Sequence, residues 1–209
     1  MFYETTQPHG LKHDPFKAVV VPRPIGWIST VAKSGRCNLA PFSFFNAVAS
    51  TPPMIAFAAN GFHMEGGLKD TVRNVLDTGE FVANLATWDL REKMVTSSVF
   101  APRDVDEFDY AGLGKLPSRL VRPPRVAESP VHLECRVYQV IHLPDDPKTG
   151  QPNTMTIGEV VGIHIDDSVL RDGMVDITAL RPIARLGYLD YSVVDETFVL
   201  GRPQWAGEE

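Results

Sequence analysis

The sequence predicts a mainly β protein, an antiparallel barrel with a few short helices at its periphery. Three observations carry that expectation. Strand-like apolar runs recur along the chain, at 17–21, 25–32, 54–59, 80–86, 131–143 and 155–166. Only two segments have the spacing of an amphipathic helix, and both are short. Seventeen prolines and sixteen glycines lie scattered between the runs, marking many turns that join short elements. Many strands with few helices to cover them favour antiparallel pairing and closure.

In chain order, "KAVVV" (17–21) and "IGWISTVA" (25–32) read as the first two strands, with the proline-flanked Arg23 between them. The stretch 37–59, "CNLAPFSFFNAVASTPPMIAFAA", mixes four phenylalanines with asparagine, serine and three prolines. A plain core strand excludes proline, so this segment is either awkward core or a platform for a ligand. "DTVRNVLDTG" reads as a helix with Asp70 or Thr71 as N-cap, Val72, Val75 and Leu76 inward, and Gly79 as its stop. After the strand "EFVANLA" (80–86), "DLREKMVTSSVF" offers Asp89 as N-cap with Glu92 completing a carboxylate capping box. Leu90, Met94, Val95 and Phe100 form its inward side.

The proline-rich 101–130 reads as a long excursion that could overhang a site. In 131–143, Val131, Leu133, Cys135, Val137, Ile141 and Leu143 share one parity, while His132, Glu134, Arg136 and His142 take the other. That alternation predicts a half-buried strand whose polar face, histidines included, is solvated. "PDDPKTGQPN" (144–153) then turns the chain back into 155–166 as a hairpin.

A chain of 209 residues, 44% hydrophobic and 22% charged, is read as one domain over 1–209. A net charge of −6 without a basic run argues against a nucleic-acid partner. No run reaches the ~18 apolar residues that span a bilayer, and the N-terminus lacks a signal-like apolar core. Cys37 and Cys135 form no CxxC, so a reducing, cytoplasmic setting is expected with no membrane partner. Phosphate-loop, dinucleotide, zinc-protease and nucleophile-elbow motifs are missing. His9 and His13 sit in a polar leader and are not read as metal ligands.

Two segments carry candidate chemistry. In "GGLKDTVRN" (66–74), paired glycines precede Lys69 and the start of a helix, whose first amides lack partners. With Thr71 these could hold a phosphate; the plainer reading of the same residues is an ordinary capped helix beside a solvated lysine. In 37–59, Phe42, Phe44 and Phe45 could wall a flat heterocycle, with Ser, Thr and Asn on its edge, or merely fill a barrel end.

"RPIGWIST", "NLAPFSFFNAVASTPPMIAFA", "KDTVRN" with "EFVANL" after it, "GEVVGIHID" and "RLGYLDYS" occur in an order that resembles the flavin reductase-like, FMN-binding split-barrel family. The likeness covers about residues 15–192 and leaves 193–209 as a C-terminal extension. It implies a split barrel, a homodimer, and non-covalent FMN near the subunit interface. By the same likeness, 38–46 lines the flavin ring, with Asn38, Ser43 and Asn46 as polar contacts and Phe44 and Phe45 as apolar surface. Arg23 adjoins that pocket. Lys69, Asp70 and Thr71 match the phosphate cradle, Asp70 acting as a helix cap. Arg185, Gly187 and Tyr188 approach the flavin or the dimer partner, and Lys33 or Arg36 could supply positive charge at the ring. "SFFN" departs from the small-polar run of many relatives, which leaves the shape of the nicotinamide face open. The implied activity is an NAD(P)H-dependent flavin reductase, able to serve a monooxygenase component. An FMN-binding electron carrier or storage protein is the alternative.

Overall fold

The computed structural model describes residues 1–205. One helical turn, α1 (Phe16–Val19), leads into β1 (Arg23–Pro24), β2 (Gly26–Val31), β3 (Cys37–Phe42), β4 (Phe45–Ser50) and β5 (Pro53–Asn60). Helix α2 (Asp70–Thr78) precedes β6 (Glu80–Leu85), and α3 (Arg91–Thr96) and α4 (Glu107–Tyr110) follow. The short pair β7 (Lys115–Leu116) and β8 (Arg125–Val126) precedes the long hairpin β9 (Val131–Leu143) and β10 (Asn153–Ile165). The chain then runs through β11 (Leu170–Arg171), β12 (Met174–Val175), α5 (Ile177–Leu180), β13 (Ile183–Arg185) and β14 (Tyr191–Val193).

Seven strands make one antiparallel sheet in the order β3-β2-β6-β9-β10-β5-β4, and β1, β13 and β14 make a second. The edges of the large sheet are sequence neighbours: only Ser43 and Phe44 join β3 to β4, and Ala58 N–H donates to the Phe44 carbonyl at 2.8 Å. The sheet therefore curls into the expected antiparallel split barrel. Phe42, Phe57 and Phe81 stack inside it at 5.0 and 5.3 Å between ring centroids. Val72 and Val75 of α2 close the same core. Each such aromatic, fully buried, contributes about 2–3 kcal/mol of transfer free energy. A second core, around Trp27, Leu39, Met94 and Phe108, lies where α3 and α4 meet the outside of the sheet. Gly26 is required beside it, since a Cβ there would stand 2.4 Å from the Phe45 ring.

The strand 131–143, its hairpin return through β10, and the stop at Gly79, left-handed with φ 71°, are as expected. Several local expectations are corrected. The segment 17–21 is not a strand: Asp14 accepts the Phe16 N–H and Pro15 opens the turn α1, leaving Val19, Val20 and Val21 exposed without a ladder partner. Lys69, not Asp70 or Thr71, occupies the cap position of α2, and no side chain caps it. Helix α3 starts at Arg91 with Leu90 at its cap, because Leu90 is drawn into the core; Asp89 and Glu92 form no capping box. Leu76, Val95 and Phe100, expected inward, are exposed.

The polar face of β9 is solvated at Arg136 and His142, as expected, but not at its start. His132 and Glu134 are buried because the 113–126 part of the excursion lies across that face. Sheet side chains satisfy its backbone: Asn84 Oδ1 accepts the Val126 N–H and His132 Nε2 meets the Val126 carbonyl, both at 2.8 Å. Glu134 accepts the N–H groups of Arg119 and Leu120 at 2.8 and 2.6 Å, with His164 Nε2 on the same carboxylate. After β14 the chain to residue 205 has no regular structure; the last four residues of the expected extension lie outside the described residues. Among the described residues no helix is long and apolar enough to cross a membrane.

Candidate functional site

Two hollows share Pro41, Phe42 and Lys69 as a common wall. The larger, about 290 Å³, lies between α1, β1, the β3–β4 junction and the turn after β13. Lys17, Arg23, Lys69 and Arg185 line it with Ser43, Phe44 and Tyr188, and no carboxylate does. The smaller, about 130 Å³, sits over the start of α2 and is lined by Asn38, His63, Asp70, Thr71, Glu107 and the 97–101 segment.

Arg23 is the fixed point of the larger hollow. Flanking prolines cannot donate to a ladder, so β1 is short, and it pairs Arg23 with Arg185 of β13. Arg23 as a residue is only 6% exposed. It donates to the carbonyls of Lys17 and Val20, and to that of Leu186 at 2.9 Å, tying α1 and the 186–188 turn to β1. Among the described residues its Nε has no partner. Burial, then the nearby Arg185 charge, lower its pKa. The Lys17 ammonium and the Arg23 guanidinium stand 5.9 and 6.0 Å from the Phe44 ring centroid. Arg185 is oriented by the Tyr191 hydroxyl and the Tyr188 carbonyl. Among the described residues none of Lys17, Arg23, Lys69 and Arg185 forms an ion pair.

At α2, Lys69 carries the extended backbone of a cap residue, so the first-turn amides that follow it are unpaired by the helix. Burial lowers the Lys69 pKa. Asn38 donates to Thr71 Oγ1 at 2.9 Å and so orients that hydroxyl. The Asp70 carboxylate is held by Arg103, by Arg73 at 2.9 Å and by His63 at 3.4 Å. It therefore anchors the 63–68 loop and the 103 arm to the helix, where the sequence suggests a cap. Burial pushes Glu107 up to about 7, against the Leu39 N–H that its carboxylate accepts at 3.0 Å.

The structure thus gathers Arg23, Asn38, Ser43, Phe44, Lys69, Asp70, Thr71 and Arg185 around the shared wall, with Tyr188 beside them. Phe45 and Asn46 are placed elsewhere. The Phe45 ring packs on Gly26 and the barrel core, while Asn46 is exposed on β4 and its Oδ1 accepts the Ala47 N–H. Gly187 packs against Ala18 and lines neither hollow. Lys33 pairs with Asp77 and Arg36 donates to the Arg103 carbonyl, and neither lines the two hollows. Sequence reasoning missed Lys17, His63, Ser97, Ser98 and Glu107. Lys17 is hidden by the strand-like look of its segment. Ser97 and Ser98 fall at the end of the segment read as a helix, where no polar position stands out. His63 comes from a loop, and Glu107 opens the one-turn helix α4 in a stretch with no pattern of its own.

A family model described as flavin reductase like domain matches residues 18–184. An uncharacterized protein of Halalkalibacterium halodurans is 41% identical over 88% of this chain and 87% of its own. Among solved structures, nitrilotriacetate monooxygenase component B from Bacillus cereus superposes with a TM-score of 0.84 at 28% identity, covering 96% of this chain and 98% of that one. The 2-nitrobenzoate 2-nitroreductase of Pseudomonas fluorescens gives 0.81 at 25% identity, covering 100% and 98%. On this match, spanning most of its length, the chain belongs to the flavin reductase like domain family.

Proposed function

We propose that this protein is an FMN-binding flavoprotein oxidoreductase that takes a hydride from NADH or NADPH and passes the electrons to a small acceptor or an oxygenase component. One observation carries the reading: unpaired cations line the cleft, in a chain whose net charge is −6. A buried guanidinium without a counter-ion is costly, and an anionic ligand offsets that cost. The first-turn amides of α2, Lys69 and the Thr71 hydroxyl suit a phosphate. Pro41, Phe42 and Phe44 supply apolar surface for a ring, and the main chain around Ser43 supplies polar groups at its edge. FMN, when bound, provides the redox chemistry; the residues here bind it, orient it and keep one face open. A hydride step needs no protein acid or base, which fits a cleft built of cations and apolar walls. Strand β4 is exposed along most of its length at the sheet edge, which supports association with a second copy.

The test is spectroscopic. The purified chain, supplied with FMN and cleared of excess, is expected to be yellow and to bleach rapidly on anaerobic addition of NADH or NADPH. A yellow protein that stays oxidised would make it a flavin carrier. A chain that remains colourless with excess FMN ends the reading altogether.

A further inference from the structure

Two carboxyl groups line the smaller hollow, and they differ in their partners. Asp70 is held by Arg103, by Arg73 at 2.9 Å and by His63 at 3.4 Å, whereas Glu107 forms no ion pair among the described residues. Resting on the flavin reading above, we propose that Glu107 is a phosphate-binding residue that works as the protonated acid. Its carboxyl O–H donates to the phosphate at α2, so FMN binds with uptake of a proton.

The hollow sits over the first turn of α2, where unpaired amides and Lys69 attract negative charge. Glu107 reaches the same space from α4, and its Oε2 accepts the Leu39 N–H of β3 at 3.0 Å. An ionised carboxylate only accepts hydrogen bonds, so against a phosphate it sets like charge beside like and satisfies no phosphate oxygen. The protonated acid becomes a donor. Burial is the largest influence on Glu107 and outweighs the Leu39 amide and its own amide, which favour the charged form. The charges that reach it, Asp70 of α2 and Asp106 before α4, are both negative. Nearby cations are engaged elsewhere: Arg73 and Arg103 on Asp70, and Lys115 on Asp106 at 2.7 Å. His63 lies against Asp70, and Lys69 is shared with the larger hollow. Glu107 therefore stands at about 7 before any ligand arrives, and the charge of a phosphate moves it further toward the acid. Ser97 and Ser98 do not replace it as donors, since their hydroxyls donate to the Met94 and Val95 carbonyls.

The experiment measures FMN dissociation constants by flavin fluorescence at pH 6.5 and pH 8.5, for the wild type and for Glu107→Gln. Glutamine keeps an acceptor for the Leu39 N–H and carries a fixed N–H donor, so it imitates the protonated acid at every pH. The two chains are expected to agree within about twofold at pH 6.5, and the variant to bind about twentyfold more tightly at pH 8.5. Discharge of Lys69 at alkaline pH weakens both chains alike, so their ratio isolates Glu107. Calorimetry at pH 8 in buffers of different ionisation enthalpy should show the wild type taking up about one proton more than the variant. Riboflavin, which lacks the phosphate, should not distinguish the two chains at either pH. A ratio that stays constant with pH overturns the proposal, and so does a variant that binds FMN more weakly at pH 6.5 or a riboflavin ratio that follows that of FMN. If FMN binds neither chain, the flavin reading fails and titration with inorganic phosphate decides. Glu107 then keeps its role only if phosphate binds the variant more tightly than the wild type at pH 8.5 and equally at pH 6.5.

Discussion

The outer face of the sheet and the cleft beside β1 both bury polar groups, and they treat them in opposite ways. On the outer face, Asn84, His132 and Glu134 act as a surrogate strand edge, giving the excursion the backbone partners that no strand offers there. In the cleft, Arg23 and Lys69 are desolvated and, among the described residues, form no ion pair. His132 Nδ1 is also unpartnered, but burial holds that ring neutral, so what it lacks is one hydrogen bond and not a counter-charge. Burial of polar groups is thus no mark of function by itself. A charge without a partner is a better one.

The sharpest way to break this comparison is Glu134→Ala. Glu134 is fully buried, and its carboxylate accepts two backbone N–H groups and one imidazole nitrogen. Removing it orphans all three donors, so the loss should reach about 3–5 kcal/mol in chemical denaturation. FMN affinity of the folded fraction should not change. A variant of near wild-type stability would mean that the excursion is held by its apolar contacts alone.

How much of this was legible beforehand differs between the two regions for a physical reason. The alternation in 131–143 revealed the strand, since period two follows from the pleat. It could not reveal that His132 and Glu134 face protein, because a polar side chain reads alike whether water or a loop's backbone satisfies it. In the cleft, Lys69 and Thr71 were legible through the glycines and helix start beside them. Arg23 was legible only as a neighbour, and Lys17 not at all, since three valines after it imitate a strand. Glu107 joins the site because the chain folds α4 back against β3, and nothing local marks it.

Titration separates the regions next. Burial pushes His132 down to about 4, mainly by desolvation, while the unfolded chain keeps the ordinary histidine value. The resulting stability is complete above about pH 6.5 and lost as pH falls toward 4, an effect of about 3 kcal/mol. Glu107 has the opposite sign. With its folded value raised to about 7, its contribution is complete below about pH 4.5 and lost as pH rises toward 7. In the wild type the two slopes oppose each other. Glu107→Gln, which keeps an acceptor for the Leu39 N–H, should expose the acid slope of His132 and stabilise the apo chain at pH 8 by about 2 kcal/mol, with no gain at pH 4. Parallel pH–stability curves for the two chains would remove Glu107 from the account.

Two lysines give the smallest and most direct contrast. Lys33 is exposed and pairs with Asp77 at 2.9 Å. Lys33→Ala should cost at most about 0.5 kcal/mol of stability and nothing in FMN affinity. Lys69 is desolvated at the start of α2, and among the described residues it has no ion pair to lose. Lys69→Ala should weaken FMN binding by about 2 kcal/mol, the scale of a charge-assisted hydrogen bond, and leave the apo chain no less stable. The sign matters more than the size. A residue kept for the fold lowers stability when truncated, whereas one kept for a ligand leaves stability level or raises it while affinity falls. If Lys69→Ala destabilises the apo chain and binds FMN as before, the cation at α2 serves the fold, and the contrast with Glu134 disappears.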